Sequence, residues 1–262
     1  MRAWKNLAEA YEASFGRLCA GTIDSMLQVL EDPATPSTFP RRLLDVGSGT
    51  GALARAAAAC GFNVEGVDRE LSMVDLSTRR IPGVRFGVGA LPALPYLDGI
   101  FDAVTANFVI NHVARPAASV AELARVCAPG GTVAITIWPA GPSPLYDLWS
   151  DVTACAGPPR GTRIHPDQDF ERSEAGLARL LETAGLEGEK AFTVSWTFSI
   201  RPEDLWLGVV AGIASIGETY RSQPPDARAS MQKVFARRTA QLSRDGLLHL
   251  RSTAVLASGR AT

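Results

Sequence analysis

Cysteine and histidine are scarce in this chain: four and three among 262 residues, all widely separated. Cys19, Cys60, Cys127 and Cys155 form no C-x-x-C pair, so neither a zinc ribbon nor a dithiol redox motif is expected. Free, mostly buried thiols in a reducing compartment are the expectation. His112, His165 and His249 are equally dispersed, and no metal site is predicted from their spacing. A charge excess is also missing. The net charge of -1 removes the electrostatic ground for a nucleic-acid or anionic-membrane partner. No apolar run approaches the about 20 residues that cross a bilayer. Lys5, Glu9 and Glu12 fall where a signal-peptide core would be apolar. Internal repeats and low-complexity tracts are absent as well. A cytoplasmic globular protein, monomer or homodimer, is the expectation.

What is present is a chain with 46% hydrophobic residues, long enough for one sizeable core. Residues 1–26 carry Ala3, Leu7, Ala10, Tyr11 and Phe15 at near-helical spacing. A connection rich in proline (Pro33, Pro36, Pro40) then leads into a region where strands and helices alternate, as in a parallel sheet covered by helices. Strands are predicted at 43–46, 63–67, 84–88, 101–106 and 132–138, and helices at 50–60, 70–79 and 117–127. Pro129-Gly130-Gly131 reads as the turn feeding the fifth strand. Residues 139–166 are rich in Pro and Gly and include a short helix. Further helices are expected at 171–184, 202–220 and 227–242, with strands at 191–200 and 249–257. The fold class is therefore α/β: a doubly wound, mostly parallel seven-stranded sheet with an N-terminal helical segment and a helical lid or insert. One domain over 1–262 is expected, with 1–40 as a cap, 41–138 as the core, and 139–262 as lid, substrate-side helices and closing strands.

The stretch Leu43-Leu44-Asp45-Val46-Gly47-Ser48-Gly49-Thr50-Gly51 is an apolar strand running into a glycine-rich turn and a helix. Such a layout presents backbone amides and a helix N-terminus to a polar ligand. Val64-Glu65-Gly66-Val67-Asp68 ends a second strand on an acid able to accept ribose hydroxyls. The turn reads two ways. As G-x-G-x-x-A it is a loose dinucleotide fingerprint. As D-x-G-x-G-x-G it carries Asp45, which would repel a pyrophosphate and attract an ammonium group.

Four blocks in order resemble the class I S-adenosylmethionine-dependent methyltransferases: the 43–53 turn, Gly66-Val67-Asp68, the run from Leu94 through Asp98 to Val104, and Pro129-Gly130-Gly131-Thr132-Val133. The most similar subgroup is the small-molecule type of ubiquinone and menaquinone biosynthesis. The resemblance implies S-adenosylmethionine as cofactor. It places Gly47, Ser48, Gly49 and Gly51 along the methionine and ribose, Asp45 near the amino group, and Asp68 on the ribose hydroxyls. Arg69 and Met73 would flank the adenine, with Gly89, Ala90 and Leu91 as the adenine turn. Ala90 stands where relatives commonly carry an aspartate, which leaves only backbone for that contact. Asn107 and Phe108 would lie beside the methionine end and the transferred methyl, and Tyr11 would cover the cofactor or pack between helices.

Methyl transfer from a sulfonium needs chiefly an in-line approach, and a base only where the acceptor must lose a proton. His112, just past the fourth strand, is the candidate base; a helix-capping or cofactor-contacting role is the alternative. Trp138, Tyr146, Trp149 and His165 are the candidate substrate contacts, with Leu205, Trp206 and Val209 in an insert before the last strand. Arg228, Lys233, Arg237, Arg238 and Arg244 read as a solvated helix face. The expected function is methyl transfer to a small-molecule acceptor through an O-, N- or C-nucleophile, in secondary metabolism. A non-catalytic S-adenosylmethionine-binding accessory protein and a nicotinamide-dependent reductase are the alternatives.

Overall fold

The computed structural model describes residues 7–31, 41–154, 156 and 169–262. His165 and Cys155 lie outside the described residues, as do the first six positions of the predicted N-terminal helix and most of the proline-rich connection. The strands are β1 (Arg42–Val46), β2 (Asn63–Asp68), β3 (Arg85–Val88), β4 (Phe101–Asn107), β5 (Cys127–Ile137), β6 (Glu187–Ile200) and β7 (Leu248–Arg260). The helices are α1 (Ala8–Ala13), α2 (Phe15–Cys19), α3 (Ile23–Leu30), α4 (Ala52–Ala59), α5 (Leu71–Arg80), α6 (Pro116–Val126), α7 (Pro144–Thr153), α8 (Glu174–Thr183), α9 (Pro202–Val210), α10 (Ala214–Ser222) and α11 (Pro225–Leu242).

Seven strands form one sheet in the order β3-β2-β1-β4-β5-β7-β6. β1 to β5 pair in parallel and β7 lies antiparallel beside β5. This is the expected doubly wound α/β sheet. The order runs outward in one direction from β1 and in the other from β4. The switch point therefore falls between their carboxyl ends, where open α/β sheets bind ligands.

The chain divides into two compact units. The sheet-bearing unit comprises Thr22–Ala140, Ile164–Val194 and Thr253–Thr262. Its core is built from inward residues of the strands, Leu44, Val104, Phe101 and Ile135, packed with Leu123 of α6 and Leu177 and Leu181 of α8. These strands read as continuous apolar runs because both faces are covered. The other unit comprises Met1–Gly21, Gly141–Arg163 and Ser195–Ser252. It is held by an aromatic cluster: Trp149 stacks on Phe235 at 5.9 Å, and Trp206 lies 4.6 Å from Phe235 and 5.3 Å from Tyr220. Gly208 lets α9 pass close to α2, since a Cβ there would meet Phe15 at 2.8 Å.

Several boundaries differ from the sequence reading, β6 and β7 among them, which are longer than expected (Glu187–Ile200 and Leu248–Arg260). The N-terminal helix is broken into α1, α2, a 3-10 turn at Ala20–Thr22, and α3. Ser14 leaves the helical region (φ -118, ψ -97) while its hydroxyl donates back to the Ala10 carbonyl at 2.6 Å, competing with the helical ladder. The single helix expected over 202–220 is two, parted where Gly212 and Ala214 take positive φ. Cys127 belongs to β5 and not to the preceding helix. The Pro129-Gly130-Gly131 turn is an irregularity inside β5, which shifts its register with β4 between Phe101 and Ala103. The cysteines are also less buried than expected: Cys127 is buried, Cys19 half-buried and Cys60 exposed. Among the described residues no helix is long and apolar enough to cross a membrane, and no cluster of metal-ligating side chains exists.

Candidate active site

β1 ends at Val46, and the chain turns through Gly47 (φ 67), Gly49 (φ 53) and Gly51 (φ 82) before α4 begins. All three sit in the left-handed region that side chains disfavour. At Gly47 a Cβ would also stand 2.4 Å from Val109 Cγ2, so the turn passes against the segment that leaves β4. The turn is tied to β2 twice: Ser48 N–H donates to the Val67 carbonyl at 2.9 Å, and Gly49 N–H donates to Asp68 Oδ2 at 2.9 Å. Asp68 Oδ1 accepts from Glu70 N–H at 2.9 Å. Burial raises the Asp68 pKa, and these two N–H bonds oppose the rise. Each carboxylate oxygen keeps a second lone pair for a ligand hydroxyl.

Asp45 is buried inside β1, 2% exposed, directly opposite Thr105 of β4. The Thr105 hydroxyl donates to Asp45 Oδ1 at 3.1 Å, while Oδ2 has no hydrogen-bond partner among the described residues. Burial pushes the Asp45 carboxyl up to about 7. The Thr105 bond and the Ala54 backbone N–H oppose that rise, and the nearby Asp68 adds to it. The buried Ser48 hydroxyl is likewise without a partner among the described residues. Unmet buried acceptors of this kind are costly. A ligand bringing a cation and hydroxyls meets these acceptors, and a pyrophosphate does not.

Around the β2 and β3 ends, Arg69 is partly exposed and pairs with Glu70 at 3.4 Å, and Met73 is buried on α5. Gly89 N–H donates to the Asp68 carbonyl at 3.1 Å, which sets the 89–91 turn beside Asp68. Ala90 closes an isolated bridge with Ala93, so this turn offers only backbone there. Its far side is braced by Arg125, which reaches the Tyr96 carbonyl at 2.9 Å and Glu122 at 2.7 Å. Glu122 in turn accepts from Leu94 N–H.

At the other end, Asn107 closes β4 and Phe108 follows with φ 57, an unusual conformation for a bulky residue. Phe108 stacks on Trp138 with centroids 3.8 Å apart and planes at 16°. Asn111 clasps the Trp138 backbone, its Oδ1 accepting from Trp138 N–H at 2.9 Å and its Nδ2 donating to the carbonyl at 3.4 Å. His112 ends the 3-10 turn Ile110–His112. Surrounding protein lowers its pKa, and the charge of Arg69 adds to the effect, although the residue is itself exposed. The neutral imidazole is thus the resting form at neutral pH.

Asp45, Gly47, Ser48, Gly49, Gly51, Asp68, Arg69, Met73, Gly89, Ala90, Leu91, Asn107, Phe108, His112 and Trp138 all belong to the sheet-bearing unit, Asp45, Asp68 and Asn107 at the ends of its strands and the rest in the loops and helices that follow. Six of the residues named from the sequence as site or insert candidates belong to the other unit. Tyr11 hydrogen-bonds Cys19 and packs over Gly16. Trp149 is part of the aromatic cluster, and Tyr146 is 62% exposed on α7. Leu205, Trp206 and Val209 are buried in that unit's core, so packing accounts for them. Thr22, Thr105, Asn111 and Thr136 were not singled out from the sequence. Thr105 and Thr136 carry one signal, a hydroxyl within an otherwise apolar strand, while Thr22 and Asn111 fall in 3-10 turns and carry none.

A family profile described as a methyltransferase domain matches residues 44–135. The demethylmenaquinone methyltransferase of Paenarthrobacter aurescens is 31% identical over 187 residues, 71% of this chain and 71% of that protein. The like-named proteins of Renibacterium salmoninarum and Clavibacter sepedonicus are 39% and 33% identical. Their alignments cover 36% and 56% of this chain, which spans only 40% and 63% of those two relatives. Among solved structures, the YcgJ protein of Bacillus subtilis shares the fold with a TM-score of 0.57 at 21% identity, covering 91% of this chain and 97% of that one. Haemonchus contortus phosphoethanolamine N-methyltransferase 2 does so at 0.58 and 16%, covering 100% and 59%. The dinucleotide reading of the turn, and with it the reductase alternative, falls to these relatives. The chain belongs to the class I S-adenosylmethionine-dependent methyltransferases, in the quinone-biosynthesis-like group, and S-adenosylmethionine is its cofactor.

Proposed function

We propose that this protein transfers the sulfonium methyl of S-adenosylmethionine to a flat aromatic small molecule, of the kind represented by the demethylated quinone after which its relatives are named. The observation that carries the reading is the buried, half-partnered Asp45 carboxylate beside three left-handed glycines and Asp68. When bound, the cofactor supplies a methyl group already activated for displacement. The chain itself binds, orients and dries the site. Asp68 accepts the ribose hydroxyls, Asp45 faces the ammonium, and the 47–51 turn lies along the linkage between them. Arg69, Met73 and the 89–91 turn hold the adenine, Leu91 donating through its amide. Asn107 and Phe108 lie at the methyl end. The Phe108–Trp138 stack offers a rigid apolar wall against which a flat acceptor aligns. His112, neutral at physiological pH, accepts the acceptor's proton on an imidazole nitrogen where the nucleophile carries one.

Isothermal titration of the purified protein with S-adenosylmethionine, S-adenosylhomocysteine and NADH tests the cofactor assignment. Micromolar binding of the first two and none of NADH is expected. Incubation with demethylmenaquinone chemically reduced to its quinol, and with simpler hydroxyarenes, should then give a product heavier by one CH2, a methyl entering and a proton leaving. Cofactor binding without turnover on any such acceptor would favour an accessory role, and binding of NADH alone would overturn the reading.

A further inference from the structure

The strand order aligns the ligand. Asp68 ends β2, the glycine turn follows β1, and Asn107 ends β4. A cofactor whose ribose lies on Asp68 and whose chain crosses the turn therefore brings its other end to Asn107. The contact between Gly47 and Val109 places that segment directly beside the turn.

Two hydroxyls converge on Asn107. Thr136, its register partner on β5, donates to Asn107 Oδ1 at 2.5 Å, and Thr22 donates to the same oxygen at 2.8 Å. Thr136 also holds the residue that follows. Its hydroxyl oxygen accepts from Phe108 N–H at 3.0 Å, while its carbonyl accepts from the same N–H at 3.1 Å. Both threonines are fully buried. With Oδ1 claimed by two donors, the amide is fixed with its NH2 as the donating side. The Phe108 backbone, at φ 57, needs surroundings that over-determine it, and the two Thr136 acceptors supply them.

We propose that Thr136, assisted by Thr22, is a positioning residue for the amino-acid end of the cofactor. It acts through the Asn107 amide and the left-handed turn at Phe108, and it fits a ligand group there that accepts hydrogen bonds, a carboxylate above all. The inference rests on the cofactor reading given under Proposed function.

The test is titration of wild type, Thr136→Val and Thr136→Ser with two ligands. One is S-adenosylhomocysteine; the other is 5′-methylthioadenosine, which keeps the nucleoside and lacks the amino-acid part. Thr136→Val keeps the side-chain shape and should weaken S-adenosylhomocysteine binding about tenfold, the scale of one hydrogen bond to a charged group. Affinity for methylthioadenosine should stay within about twofold, and Thr136→Ser should restore the loss. A merely structural role would weaken both ligands together, and that result, or no change in either, overturns the proposal. Should Thr136→Val fail to fold, Thr22→Val removes the other hydroxyl and leaves Phe108 tied; the same selective loss is expected, and its absence refutes. Wild type that binds neither ligand would overturn the cofactor reading itself, an outcome distinct from the loss of selectivity.

Discussion

Asp45→Asn should make the ligand-free protein more stable and the cofactor site weaker, in a pH-dependent way. The folded carboxyl titrates near 7 against an ordinary value of 3.8, chiefly because burial penalises its charge. An acid raised in this way holds its proton in the folded state after the unfolded chain has released it. Stability therefore falls as pH rises from about 4 to about 7, and is flat above. At about 1.4 kcal/mol per pH unit, ionising Asp45 costs the fold up to about 4 kcal/mol. Asparagine cannot titrate, and its Oδ1 still accepts from Thr105. Its NH2 replaces the unpartnered Oδ2 at a roughly pH-independent cost of about 1–3 kcal/mol. The stability of Asp45→Asn relative to wild type should consequently climb by about 3 kcal/mol between pH 5 and pH 8. Urea unfolding of both proteins without ligand at four pH values measures the difference, and groups common to both largely cancel. Over the same range the variant's affinity for S-adenosylmethionine should fall behind wild type, since only wild type gains a carboxylate to face the ammonium. Stability curves that run parallel with pH would refute the burial argument, and equal affinities of the two proteins for S-adenosylmethionine at pH 8 would refute the ammonium role.

Asp68→Ala should weaken S-adenosylhomocysteine binding by more than about 1 kcal/mol, and calorimetry on the folded variant checks it. Unchanged affinity would remove Asp68 from the ribose. His112→Ala should slow methyl transfer while leaving S-adenosylhomocysteine affinity intact. Because the imidazole pKa lies below its ordinary value, wild-type turnover should rise with pH only on the acid side of about 6.5 and be level at 7. The variant should lose that acid limb; equal losses in binding and turnover would make His112 a cofactor contact instead.

The parallel half of the fold was legible because its strands are short apolar runs punctuated by turn residues, and the predicted strands fall within a residue or so of the observed β1 to β4. The failures have local physical causes. Helical periodicity persists across Ser14, yet one hydroxyl that returns to Ala10 is enough to part α1 from α2. A lone glycine inside a helical pattern is no certain stop, yet Gly212 takes φ 87 and Ile213 is extended, which parts α9 from α10. In β5 the Pro-Gly-Gly signal was read as a boundary, although a β-irregularity allows a strand to pass through it.

The site divides along a similar line. Glycines and acids at a strand end are visible because few other pressures place them there together. Threonines are not, because a β-branched residue in a buried strand already satisfies strand propensity and packing. What distinguishes Thr105 and Thr136 from a valine is which residue stands opposite in the neighbouring strand: Asp45 for one and Asn107 for the other. Those partners lie 60 and 29 positions away, and a one-residue slip would turn each hydroxyl to the opposite face. The acid that attracts the ligand is thus written locally, while the hydroxyls that aim its partners are written only in the register of the sheet. A variant series that swaps Thr for Val at 105 and 136 therefore separates the two kinds of information. The Thr105 change acts on Asp45 and its proton, and the Thr136 change acts on orientation without altering any charge.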